Sequence, residues 1–183
     1  MTPAQAEALL FDETVACEER RPAAFVAASG LTPGQLAASG EALLRALAVV
    51  EDGPRPEEPE GGDQSMARIE AKLDLLTALV AGLARQDEDP LRELRWSARG
   101  ACLVLDTAPP VGEGLFRIRP ADWLPSTLLL PATVLAHAPA DAGLRVWLRF
   151  DPLSPALEGA LERHLFRIHR RAVAESRRPR PGF

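Results

Sequence analysis

Tyrosine is missing from this chain, and aromatic residues make up only 5% of it. A core of the size that 183 residues can build must therefore be packed with aliphatic side chains, chiefly Leu and Ala. Cysteine is scarce too: Cys17 and Cys102 stand alone and far apart, with no Cys-x-x-Cys and no spaced run of Cys or His. That excludes a disulfide framework and a zinc site, and points to a reducing compartment. Long hydrophobic runs are also lacking. The longest, Leu75 to Ala84, is too short to span a bilayer and contains Thr77 and Gly82, while the first residues lack the basic stretch of a secretion signal. A cytoplasmic protein without a membrane span is the expectation.

Catalytic motifs are absent as well. The chain has no phosphate-binding Gly-x-x-x-x-Gly-Lys loop, no Gly-x-Ser-x-Gly and no His-Glu-x-x-His, and Gly112-x-Gly114 lacks the strand-to-helix setting of a dinucleotide fingerprint. His164 and His169 are five apart, so on a helix they diverge and cannot grip one metal. Ser97 as a nucleophile would need a base at hydrogen-bond distance, and nothing ties His137 or Asp106 to it; a turn-forming serine is the simpler reading. No enzyme, metal or cofactor is expected.

What the chain does hold is 46% apolar and 26% charged residues, the balance of an ordinary globular protein. Its net charge of −5 hides an asymmetry, because residues 1–65 carry twelve acids against four bases, whereas Arg163 to Arg180 holds seven arginines and two histidines. Cations near a helix C-terminus are favourable in themselves, so the basic end reads as a solvated helix face, and a nucleic-acid partner is not expected.

Along the chain, Leu9, Phe11, Val15 and Cys17 alternate, which predicts a first strand over residues 8–17, followed by a polar break from Glu18 to Pro22. Thr32-Pro33-Gly34-Gln35 has the cap, the first-turn proline and the Gln of a helix start, and Leu36, Leu43, Leu47 and Val50 stripe the helix that follows. Residues 52–63, with three prolines, three glycines and five acids, read as a connector to a second helix, so the inserted helices cover 33–86. That second helix carries Met66, Ile69, Leu73, Leu76, Val80 and Leu83 at spacings of three and four, an a/d seam that drives supercoiling against other helices; Leu75 and Leu79 widen the face beyond a dimer seam. The competing reading is that this face covers the chain's own sheet.

After Pro90 the period becomes two. Leu91 to Trp96 and Ala101 to Asp106 flank a turn at Ser97-Ala98-Arg99-Gly100; Phe116 and Ile118 oppose Arg117 and Arg119; Thr127 to His137 is a strand in which Pro131 implies a bulge or an edge; and Leu144 to Phe150 alternates throughout. Ser154-Pro155 then starts a helix lined by Leu157, Leu161, Leu165, Ile168 and Ala172, and residues 177–183 form a tail. The result is an α+β protein: a small antiparallel barrel of about five or six strands over 91–176 and the first strand, closed by a helix and interrupted by a helical hairpin.

Leu94 to Leu103, with Leu144 to Phe150, the helix from Ser154 and the preceding heptad helix, is similar to the PilZ family of cyclic di-GMP receptors. Together with Gly40 to Leu47 it resembles the atypical, tetrameric subgroup, over roughly residues 8–176 in a single domain. The resemblance implies the six-strand barrel, inserted helices that bundle copies of the chain into a homotetramer, and a signalling role exerted through an unidentified downstream protein. Family members that hold the dinucleotide in the usual way use an Arg-x-x-x-Arg arm and an (Asp/Asn)-x-Ser-x-x-Gly turn. Here Ser97 and Gly100 are kept, Arg95 stands where Asp or Asn is expected, and Arg20-Arg21 has the wrong spacing for the arm. Arg95, Trp96, Ser97, Arg99, Gly100 and Arg117 are then the residues for a replacement site, since guanidiniums and a flat ring are what phosphates and guanines require. The alternative is a barrel that binds no nucleotide and serves as an interaction module in motility or secretion.

Overall fold

The computed structural model describes residues 1–28, 30–52, 89–109 and 112–177, and within the intervening stretch residues 66, 69, 70, 72, 73, 75–77, 79 and 80, all of them helical. The elements are α1 (Pro3–Phe11), β1 (Cys17–Ala27), α2 (Pro33–Asp52), β2 (Leu91–Trp96), β3 (Gly100–Leu105), β4 (Glu113–Ile118), β5 (Leu128–Ala140), β6 (Gly143–Phe150) and a closing helix, here α3 (Pro155–Ser176). The strands form a closed antiparallel barrel in the order β1-β2-β3-β6-β5-β4. The connector at 53–65 and the tail at 178–183 lie outside the described residues.

The expected strand at 8–17 is corrected. Residues 3–11 are helical, and the first strand begins at Cys17, so the expected polar break at Glu18–Pro22 lies within β1. Alternation of Leu9, Phe11, Val15 and Cys17 straddled a helix end and a strand start. The helix buries Ala6 and Leu10, one turn apart, with Phe11 beside them. The charges of β1 are tolerated because alternate residues point out of the barrel, and because the inward Glu19 accepts from Arg21 (2.7 Å) and from the indole N–H of Trp96 (3.0 Å). β1 closes the barrel by changing partner: Cys17–Pro22 pairs with β2 and Ala23–Ala27 with β4, with Pro22, which has no N–H, at the change.

Pro131 is neither bulged nor at an edge, since a closed barrel has none; the register shift falls later, between Val134 and Ala136. Pro131 sits just beyond the paired end of β6, where its carbonyl accepts from the Asp151 N–H (2.9 Å) and no reciprocal donor is needed. Inward residues of all strands, with Leu43, Leu44 and Leu47 of α2 and Leu157, Leu161 and Leu165 of α3, form the main core. A second, smaller core lies outside the barrel, where Ala6, Leu10 and Phe11 cover Ala136 and Trp147.

The expected caps are present. Thr32 and Gln35 exchange reciprocal bonds at the start of α2, and the Ser154 hydroxyl accepts from Leu157 N–H (3.2 Å) with Pro155 opening α3. Ser154→Ala is expected to cost about 1 kcal/mol by orphaning one helix N–H; a urea midpoint equal to wild type would show the cap to be idle.

Candidate functional site

The turn joining β2 and β3 is built by its own side chain. Ser97 N–H donates to Gly100 carbonyl (2.9 Å), and the Ser97 hydroxyl accepts from Arg99 N–H (3.0 Å), a local hydroxyl turn that fixes the corner. Gly100 is required by packing, for a Cβ there would stand 2.1 Å from the Leu148 carbonyl oxygen and 2.7 Å from Leu10 Cδ2.

Helix α1 lies across this turn. The Ser97 hydroxyl donates to Leu10 carbonyl (2.7 Å), and the Arg99 guanidinium donates to the carbonyls of Asp12 (3.0 Å) and Leu9 (3.4 Å). A cation thus meets the negative end of the helix, where carbonyls have no intrahelical partner. Earlier in α1, Glu7 places one carboxylate oxygen on Arg95 (2.6 Å) and the other on the indole N–H of Trp147 (2.6 Å). The Arg95 guanidinium also stands 4.5 Å over the Phe11 ring. A cleft of about 390 Å³ adjoins the turn, lined among others by Leu9, Arg99, Arg149, Asp151 and Glu158.

Of the six residues expected to form a ligand site, Arg95, Ser97, Arg99 and Gly100 are brought together, and all of them touch α1. Trp96 is not among them: it is fully buried inside the barrel, edge-on to His164 at 5.9 Å. Arg117 is distant. Arg95 pairs in register with Glu18 and Arg117 with Ala24, six positions further along β1 and roughly 20 Å at a strand's rise; its guanidinium is paired with Asp89. Sequence reasoning missed Glu7 and Trp147. Trp147, an outward residue of β6 flanked by Arg145 and Arg149, was legible as the odd apolar member of a polar face.

The heptad positions behave differently. Leu75 is buried and Leu79 packs on the main core, whereas Met66, Ile69, Leu73, Leu76 and Val80 are 50–67% exposed. The helix therefore holds to its own subunit by a flank, and the a/d seam itself faces away; Leu83 lies outside the described residues.

Nothing in these surroundings activates a nucleophile. Burial pushes the Cys17 thiol up to about 11 and the Cys102 thiol to about 12, each helped by a nearby carboxylate, Glu19 and Glu7 respectively. Among the described residues no group of His, Cys, Asp and Glu could hold a metal ion, and no helix is long and apolar enough to cross a membrane.

Residues 44–178 match the model of a family described as the atypical PilZ domain, a cyclic di-GMP receptor. Among solved structures, a tetrameric PilZ domain protein of Xanthomonas campestris, self-assembled through a helical bundle, is 41% identical, covers 94% of this chain and 97% of its own, and superposes with a TM-score of 0.70. Two structures of YcgR from Escherichia coli with cyclic di-GMP are 19% and 20% identical, cover 47% and 50% of this chain and 38% and 82% of their own, and give TM-scores of 0.40 and 0.37. No curated protein matches the sequence.

Proposed function

Since the chain belongs to the atypical PilZ domain family of cyclic di-GMP receptors, we propose that it is a non-enzymatic signalling protein of the bacterial cytoplasm, working as a homo-oligomeric receptor or adaptor whose assembly presents a surface to a downstream protein. The observation that carries this reading is the exposed heptad seam: five large apolar side chains at coiled-coil spacing, on a helix whose other flank already packs on the barrel core. Covering what remains exposed of each such side chain is worth about 1–2 kcal/mol, so the seam favours self-association. A tetramer is the proposed state, because the relative that is similar over nearly its whole length is tetrameric through a helical bundle. For the receptor role, the dinucleotide phosphates would meet Arg95, Ser97 and Arg99 at the β2–β3 turn.

The test is mass in solution. Light scattering on the wild type is expected to give the mass of four 19.7 kDa chains, and Leu73→Asp with Leu76→Asp is expected to give one, because buried carboxylates would face each other across the bundle. An unchanged mass would end the seam reading.

A second reading, an interaction module that binds no nucleotide, is favoured by one specific fact: the side chains of Arg95, Ser97 and Arg99 each already have a partner in α1. Titration calorimetry with cyclic di-GMP, on the wild type and on Glu7→Ala with Leu10→Ala, which removes two contacts of α1, separates the two, absence of heat in both together with unshifted amide resonances removing the receptor role.

A further inference from the structure

The contacts of α1 have the form of a ligand. We propose that α1 is a built-in competitor: Glu7 and the last carbonyls of the helix occupy an anion seat on the outer face of the barrel, and a phosphodiester binds only when α1 leaves. This inference rests on the receptor reading above and names how that site is regulated.

The seat is defined by donors that converge on one carboxylate. Arg95 and the Trp147 indole N–H each stand 2.6 Å from a different oxygen of Glu7, the spacing at which two donors would take two oxygens of a phosphate. Next to it, Ser97 and Arg99 donate to the carbonyls of Leu10, Leu9 and Asp12, which present partial negative charge at a helix C-terminus. Arg145 and Arg149 extend the cationic face on either side of Trp147 along β6, and neither makes an ion pair among the described residues. Helix α1 thus supplies both an acid and a row of acceptors to a surface that carries Arg95, Arg99, Arg145 and Arg149, with Asp151 and Glu158 in the adjoining cleft and Glu18 opposite Arg95.

The helix is also built to come away. It has nine residues, too few to be stable without its packing. Its apolar contacts form a core separate from that of the barrel, so its release leaves the main core closed, as expected of a low-stability local unit. The chain leaves it through Glu13, whose φ of +57° is the left-handed conformation a non-glycine residue adopts at a cost.

The test uses the full chain. Hydrogen exchange of the α1 amides and calorimetric titration with cyclic di-GMP are measured on the wild type, on Glu7→Ala with Leu10→Ala, and on that double variant carrying Arg95→Ala. The expected result is faster exchange in α1 of the double variant, binding at least tenfold tighter than wild type, and loss of that gain with Arg95→Ala. Equal affinity of wild type and double variant overturns the competitor while leaving the receptor reading in place. Amides of α1 as protected in the double variant as in wild type overturn it too, since the grip would lie elsewhere. Freely exchanging α1 amides without binding overturn it and the receptor reading together.

Discussion

Brought from pH 7 to pH 4, the protein is expected to lose about 3 kcal/mol of stability through one side chain, His164. It lies on α3 at the mouth of the barrel, 1% exposed, edge-on to Trp96. Neither ring nitrogen has a hydrogen-bond partner among the described residues. Burial pushes its pKa down to about 4 from the ordinary 6.5; Glu51 pulls the other way, and Arg167, Arg21 and Arg171 reinforce the fall. The sign follows from proton counting. Between pH 6.5 and 4 the unfolded chain binds a proton that the folded chain refuses, so stability falls with pH across that window, levels off below it, and is fully present above it. His164→Phe keeps a ring against Trp96 and removes the proton. Urea unfolding of that variant should show a correspondingly smaller change between pH 7 and pH 4; equal pH dependence in both proteins would sink the assignment.

That histidine also illustrates how far the sequence could be followed. That it cannot grip one metal together with His169 follows from spacing alone, because side chains five positions apart on a helix diverge. Its depth does not, since burial depends on which face of α3 closes the barrel. The barrel itself was legible for a physical reason: in Leu144–Phe150 every second residue must be apolar if one face is inside, and Val146, Leu148 and Phe150 are indeed buried. The apolar repeat was legible because all six of its positions recur at helical spacing, and the structure leaves the five described ones exposed.

The N-terminal helix was misread although its signal was printed twice. Thr2-Pro3-Ala4-Gln5 repeats the pattern of Thr32-Pro33-Gly34-Gln35, and it forms the same reciprocal cap, Thr2 N–H to Gln5 (3.0 Å) and Gln5 N–H to Thr2 (3.3 Å). A short helix shows too few turns for a convincing period, so alternation across its end prevailed. With α1 unread, the candidate site could not be seen as occupied. Arg95, Ser97 and Arg99 were identifiable as polar groups on a turn, but their partners come from almost ninety positions earlier in the chain, and no local pattern encodes that contact. Trp96 was placed with them as the flat ring a guanine requires, yet strand alternation sends Arg95 outward and Trp96 inward.

The second large effect is expected at Glu51, near the end of α2. Its carboxylate is nearly buried and accepts from Arg171 (2.9 Å) and from Arg167 Nε (3.3 Å), tying α2 to α3 beneath the point where the chain continues toward the heptad helix. Arg171 is half-exposed, so its pair counts for little, but Arg167 is largely buried and another of its nitrogens already has no partner among the described residues. Glu51→Ala would leave that guanidinium as an uncompensated charge, at a cost of about 3 kcal/mol. It would also remove the one acid that raises the His164 pKa, moving the acid-sensitive window lower. Arg45→Ala is the control. Arg45 and Glu41 form a pair one turn apart on the same helix, with Arg45 exposed and Glu41 partly so, worth about 0.2–0.5 kcal/mol. Urea unfolding of both variants at one fixed protein concentration, necessary if association contributes to stability, should separate them by more than 2 kcal/mol. Similar small losses for the two would show that α2 and α3 are held by Leu44, Leu47 and Leu161 alone, with the ion pair a passenger.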